Sequence, residues 1–236
     1  MQDIPDRLGE TANQGSGFYG ELLIWLSPVF PVGGFAYSQG LETAVSQGRV
    51  TGRETLQDWL SAVARFGSLH NDLIVLSLTM HAKDHARVAE LAELACALQP
   101  GRQRWEETTV QGAAFRDAYL AGWRNTGVSA FDTIEVEVLP LPVAVAVAAK
   151  EHGIPARATL EAFAVAIQSN LVSAAIRLGV IGQFEAQRLL AALMPDVRYA
   201  CDRAVVATED DLGAATFSAD LASLQHETQQ VRLFRS

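Results

Sequence analysis

Apolar residues recur at spacings of three and four along most of the chain. Leu56, Trp59, Leu60 and Val63 form one stripe, and Leu69, Leu73, Leu76 and Met80 form the next. This period puts each set on one face of an amphipathic helix. Thr51 with Glu54 supplies a capping box ahead of the first stripe. A third helix is predicted over 87–97, ending before Pro100. Over 104–123 another is predicted, with Val110, Ala114, Tyr119 and Trp123 facing inward. Pro140 and Pro142 punctuate a connection into a helix over 143–151. Pro155 opens a long helix over 155–178 that Gly179 ends. Segments 182–193 and 195–207 complete the set.

Thr133 to Leu139 alternates Ile134, Val136 and Val138 with Glu135 and Glu137, as a strand would. A lone strand leaves its backbone unpaired, so the segment is assigned to loop or helix. The first twenty residues are polar and contain Gly9, Gly15, Gly17 and Gly20, the composition of a loose arm. Glu209 to Asp211 and Gly213 mark a second break, and the amphiphilic segment after it sits beyond the bundle. The expected architecture is an all-α, single-domain helical bundle with flexible N- and C-terminal arms. Its parts are an arm over 1–20, a helical domain over 21–208, and a partner-docking arm over 209–236 that orders on binding.

A chain of 236 residues is long enough for a substantial core. With 49% hydrophobic and 19% charged residues it is not a disordered chain, and its surface is apolar enough to suggest contact with other proteins. The net charge of −9 argues against a nucleic-acid partner. Cys96 and Cys201 cannot build a disulfide framework, which points to a reducing, cytoplasmic setting. Residues 1–20 lack the layout of an export signal. The longest apolar runs, 139–149 and 22–26, fall short of the roughly 20 residues a spanning helix needs, so no membrane partner is expected.

Nucleotide-binding and zinc-protease signatures are missing. Ala36-Tyr37-Ser38-Gln39-Gly40 nearly matches the nucleophile elbow of hydrolases, but no buried strand precedes it. Gly33 and Gly34 instead suit a tight turn. These absences narrow the chemistry without excluding an unusual enzyme, and neither a catalytic residue nor a cofactor is assigned. His81 and His85, four apart, would share a helix face and offer two ligands to a metal ion. The simpler reading is two polar residues on a solvated face, so no metal site is assigned. His70 and Asp72 read as loop or cap groups, and Cys96 and Cys201 as buried, inert thiols. Gln168, Ser169 and Asn170 place polar groups inside an apolar helix. They either satisfy one another in the bundle or line an interface or passage.

Two stretches resist a core-only explanation. In Trp25 to Glu42, Phe30, Phe35 and Tyr37 cluster around Pro28, Pro31, Gly33 and Gly34, and constrained aromatics make good anchors for a partner protein. A loop folded back on the core is the equal alternative. The second stretch, His226 to Ser236, carries Val231, Leu233 and Phe234 between Arg232 and Arg235. Apolar groups framed by guanidinium forks compose a segment that docks.

The block from Leu26-Ser27-Pro28 through Pro31-Val32-Gly33-Gly34-Phe35 to Tyr37-Ser38-Gln39-Gly40-Leu41-Glu42 resembles the urease accessory protein UreF family. So do Asn170 to Leu178 with Ile181-Gly182-Gln183, and the ending His226-Glu227-Thr228-Gln229 with Arg232-Leu233-Phe234-Arg235-Ser236. Ala36 departs mildly, where many relatives carry serine or threonine. The resemblance implies an all-helical protein that tends to dimerise and acts as a non-catalytic adaptor. Its implied partners are UreD (UreH in some bacteria), the GTPase UreG and the urease apoprotein, into which nickel is inserted. It further implies that Arg232, Leu233, Phe234 and Arg235 dock on UreD/UreH and that the Pro31 to Glu42 block rearranges with them. Partner-binding residues are thus expected at Phe30, Pro31, Gly33, Gly34, Phe35, Tyr37, Ser38, Gly40, Leu41, Glu42, His226, Glu227 and Arg232 to Ser236. Two rivals are a helical metal-binding protein using His81 and His85, and a ligand-responsive DNA regulator. The latter lacks a strongly basic helix.

Overall fold

A computed structural model describes residues 19–124 and 127–236. The helices follow in the order α1 (Gly20–Trp25), α2 (Leu41–Ser46), α3 (Arg53–Phe66), α4 (Ser68–His81), α5 (His85–Ala97) and α6 (Arg102–Gly122). They continue with α7 (Leu141–Glu151), α8 (Ala156–Arg177), α9 (Gln183–Val206) and α10 (Phe217–His226). No strand forms among the described residues, so the chain is all-α, and 133–139 is loop. Of the expected arm over 1–20, all but Tyr19 and Gly20 lies outside the described residues.

The centre of the fold is a segment without a polar face. From Val143 to Ala149 every side chain is at most 4% exposed. A helix with no polar face must be covered on all sides, and α7 is packed by α4, α5, α6 and α8. Its alanines let the neighbours approach closely. At Gly112 of α6, an added Cβ would lie 1.9 Å from the Leu139 carbonyl oxygen. A second apolar cluster joins Leu41 of α2, Leu56 and Leu60 of α3, Leu171 of α8 and Leu189 and Leu193 of α9.

Several local expectations are corrected. Helix α3 begins at Arg53, and it is Thr55 Oγ1 that accepts the backbone N–H groups of Thr51 and Gly52, at 2.9 and 3.2 Å. Segments 182–193 and 195–207 are one helix, α9, with Pro195 inside it. An interior proline costs about 3 kcal/mol. The buried row Leu189, Leu193, Val197, Cys201 and Ala204, packed on α3, α4 and α8, offsets it. Val110 points outward while Phe115 and Tyr119 are buried. His70 and Asp72 lie within α4 rather than in a loop.

The segment after α9 does not stand beyond the bundle. Gly213 N–H donates to Asn71 Oδ1 at 2.9 Å and Ala215 N–H to the Phe66 carbonyl at 2.8 Å. These bonds lead the chain back across α3 and α4 into α10, which packs on α2 and α6.

Candidate partner-docking surface

The loop before α2 is shaped by left-handed backbone. Gly33 has φ +71° and opens a single 3-10 turn over Gly34–Ala36. Asn170 of α8 fixes that turn by donating from Nδ2 to the Gly34 carbonyl at 2.8 Å. Gln39 (φ 55°) and Gly40 (φ 79°) then reverse the chain into α2. Gly40 is constrained twice, because a Cβ there would lie 2.6 Å from the Ser223 backbone nitrogen of α10.

The last residues run along this loop. Arg235 N–H donates to the Ala36 carbonyl at 2.8 Å, and Ser38 N–H donates to the Ser236 carbonyl at 2.7 Å. The Ser38 hydroxyl donates to that same carbonyl. Ser38 is fully buried and engaged by backbone, which is no arrangement for a nucleophile.

Two buried carboxylates organise the junction. Glu42, 7% exposed, accepts Leu233 N–H at 2.7 Å and Phe234 N–H at 3.0 Å, and meets His226 Nε2 at 3.1 Å. Gln103 of α6 meets the other ring nitrogen of His226 at 2.7 Å. With its amide nitrogen on that side it donates to His226 Nδ1 and to the Arg235 carbonyl, while its oxygen accepts from Arg232 Nη1 at 2.7 Å. This puts the imidazole proton on Nε2, facing Glu42. Glu107, 3% exposed, is ion-paired with Arg104 and accepts Gln39 Nε2 at 3.0 Å and the Ser236 hydroxyl at 2.6 Å. Glu227 accepts Gln103 N–H at 3.2 Å in the first turn of α6, where a carboxylate is favoured by the helix dipole.

The loop and the tail therefore meet, through Ala36, Ser38 and Glu42, and not all of the expected residues face outward. Phe30, Tyr37, Ser38, Gly40, Leu41, Glu42, His226, Phe234 and Ser236 are buried. Phe234, 4% exposed, enters the second apolar cluster, with the Arg177 guanidinium 4.4 Å from its ring centroid. Burial lowers the Arg177 pKa. The outward side carries Phe35, Val231, Arg232, Leu233 and Arg235, with Leu233 at 62%. Beside Phe35, between α1, α6 and α8, lies an apolar groove of about 410 Å³ whose walls include Leu23, Phe30, Val165 and Ser169. Gln168, by contrast, points inward and donates to the Leu60 carbonyl at 3.1 Å. The contributions of Gln103, Arg104 and Glu107 were not foreseen. The signal for them is a polar stripe that the fold covers, since Gln103, Arg104, Glu107, Thr108 and Gln111 are all buried.

His81 and His85 do not share a helix face. The first ends α4 and the second begins α5, with Asp84 between them accepting Arg87 N–H as the α5 cap. His81 Nδ1 meets the Ser77 carbonyl at 2.8 Å, and His85 Nδ1 meets Thr133 Oγ1 at 2.8 Å. Among the described residues no group of three or more His, Cys, Asp or Glu side chains is placed to hold a metal ion. Both cysteines are free. Burial pushes the Cys201 thiol up to about 12. Cys96 is only half-buried. Helix α8 is long and apolar enough to cross a membrane by length and composition alone, and 50% of its most apolar window is buried within the fold.

Residues 50–194 match the UreF family model. A urease accessory protein UreF of Rhodopseudomonas palustris strain HaA2 is 46% identical, with 96% of each chain aligned. That of Rhodopseudomonas palustris strain BisA53 is 45% identical over 100% of both chains. That of Bradyrhizobium diazoefficiens is 46% identical over 98% of this chain and 97% of its own. The chain belongs to the UreF family of urease accessory proteins.

Proposed function

We propose that the chain is a non-catalytic adaptor of urease maturation, acting in the cytoplasm. It holds the UreD/UreH subunit and the GTPase UreG together beside apo-urease so that nickel is inserted. Such a scaffold raises the effective concentration of its partners without adding chemistry of its own. GTP hydrolysis by UreG supplies the direction.

The observation that supports this reading is the junction of loop and tail. Two segments far apart in sequence are joined by buried carboxylates into one unit, and that unit turns Val231, Leu233 and Phe35 outward with Arg232 and Arg235 among them. Exposed apolar groups on an ordered backbone, flanked by guanidinium forks, match the composition of a protein interface. UreD/UreH is assigned to this surface. A second copy of the chain is assigned to the groove beside α8, whose long apolar helix presents uncovered residues such as Val165 there.

Co-purification with the UreD homologue tests the assignment. Deleting Arg232 to Ser236 is expected to abolish recovery of the complex. Recovery at the wild-type level would contradict it.

A further inference from the structure

Arg177 stands in the last turn of α8, where a cation is favoured by the helix dipole. It also touches the tail. Its guanidinium carbon lies 4.4 Å from the centroid of the Phe234 ring, a cation–π contact between α8 and the chain end. Its Nε donates to the Ser173 carbonyl through a long bond of 3.4 Å. Its two terminal nitrogens make no hydrogen bond among the described residues, and the side chain is exposed. Nor is it in any ion pair there. No carboxylate offsets the burial that lowers its pKa.

The carboxylates of this region are occupied elsewhere. Glu42 and Glu107 are 7% and 3% exposed and serve the tail N–H groups, His226 and Arg104. Half-buried Glu227 accepts Gln103 N–H, and Glu185, across the turn from α8 to α9, accepts Gly182 N–H at 3.2 Å. Arg232 and Arg235 are exposed and in no ion pair among the described residues, although Arg232 Nη1 reaches the Gln103 oxygen. Three guanidiniums thus frame the chain end of a protein whose net charge is −9. Leu233 is the outward neighbour of Phe234, so anything laid over Leu233 comes up against the guanidinium that covers the Phe234 ring. A guanidinium with its terminal nitrogens unengaged grips a carboxylate at two points.

We propose that Arg177 of α8 is a third guanidinium of the docking surface, and that the partner covering Leu233 presents an acidic face with a carboxylate that Arg177 binds. This rests on the assignment of UreD/UreH to the tail and adds to it the chemistry of the partner's side. Arg177 then does two things with one group. Its flat face keeps Phe234 seated in the lone chain, and its terminal N–H groups remain for the partner. The opposite signs also steer the two proteins together, an effect that salt weakens.

Binding of the full chain to the UreD homologue, measured between about 50 mM and about 500 mM salt, tests it. Arg177→Gln should bind about tenfold more weakly than wild type at the lowest salt, with a shallower dependence on salt. Arg177→Lys, which keeps the charge but not the paired donors, should recover the salt dependence and only part of the affinity. Wild-type affinity and salt dependence in Arg177→Gln would overturn the proposal. So would a loss that is equal at every salt concentration, since Arg177 would then act only by seating Phe234. If Arg177→Gln binds like wild type while deletion of Arg232 to Ser236 abolishes the complex, the tail assignment stands and the role of Arg177 falls. If the deletion leaves the complex intact, both fall.

Discussion

The carboxylate of Glu42 accepts the backbone N–H of Leu233 at 2.7 Å across 191 positions of sequence. Its other oxygen accepts the next N–H, that of Phe234, and faces His226. One short side chain from α2 thus sets the course of the tail. Glu42→Ala should leave His226 Nε2 and two backbone N–H groups without that acceptor, at a cost of about 2–4 kcal/mol. Urea denaturation should show the lower midpoint, and exchange at 233 and 234 should rise sharply. Glu42→Gln, which keeps an acceptor, should lose less.

Phe234 and Leu233 are neighbours with opposite roles. Phe234 is packed into the second apolar cluster, so Phe234→Ala should destabilise the lone chain, by roughly 2–4 kcal/mol after discount for its place near the chain end. Leu233 is 62% exposed, and Leu233→Ala should stay within about 0.5 kcal/mol of wild type. Thermal melts of the two variants side by side check the contrast.

Gly112 and Gly40 are places where backbone touches backbone. Gly112→Ala puts a Cβ 1.9 Å from the Leu139 carbonyl oxygen, forcing α6 away from the start of α7. A loss of about 3 kcal/mol or more is expected, read from denaturant midpoints. Gly40→Ala should cost about 1–3 kcal/mol through its left-handed φ and the approach of Ser223, with the effect concentrated at α10.

Thiol labelling separates the two cysteines. Cys201 is fully buried with its pKa pushed up to about 12, so almost no thiolate forms at neutral pH. Native protein treated with a maleimide should label at Cys96 first, and Cys201 only after denaturant is added. Peptide mass spectrometry gives the order.

How much of this was legible depended on distance along the chain. The stripe of Leu56, Leu60 and Val63 named α3 because one face of that helix is wet and the other dry, whereas the stripe of Leu69, Leu73 and Leu76 named α4 although Asn71 to Ser77 are all buried. Helix α7 was legible as a helix but not as the centre of the core, since a segment covered on all sides has no period to reveal its neighbours. Pro195 suggested a boundary that the packing of α9 overrides. The aromatic loop and the tail were both singled out, yet their mutual contact was not. That contact rests on two backbone hydrogen bonds, on Phe234 and on single carboxylates, Glu42 and Glu107, and no local pattern ties any of them across the chain. For the same reason the tail was read as an arm awaiting a partner, whereas in the lone chain Phe234 already lies inside.

The docking surface is most directly tested by titration calorimetry of Leu233→Asp against the UreD homologue. Unchanged thermal stability with binding at least about tenfold weaker than wild type is the predicted result. Wild-type affinity in a folded Leu233→Asp chain would contradict the account.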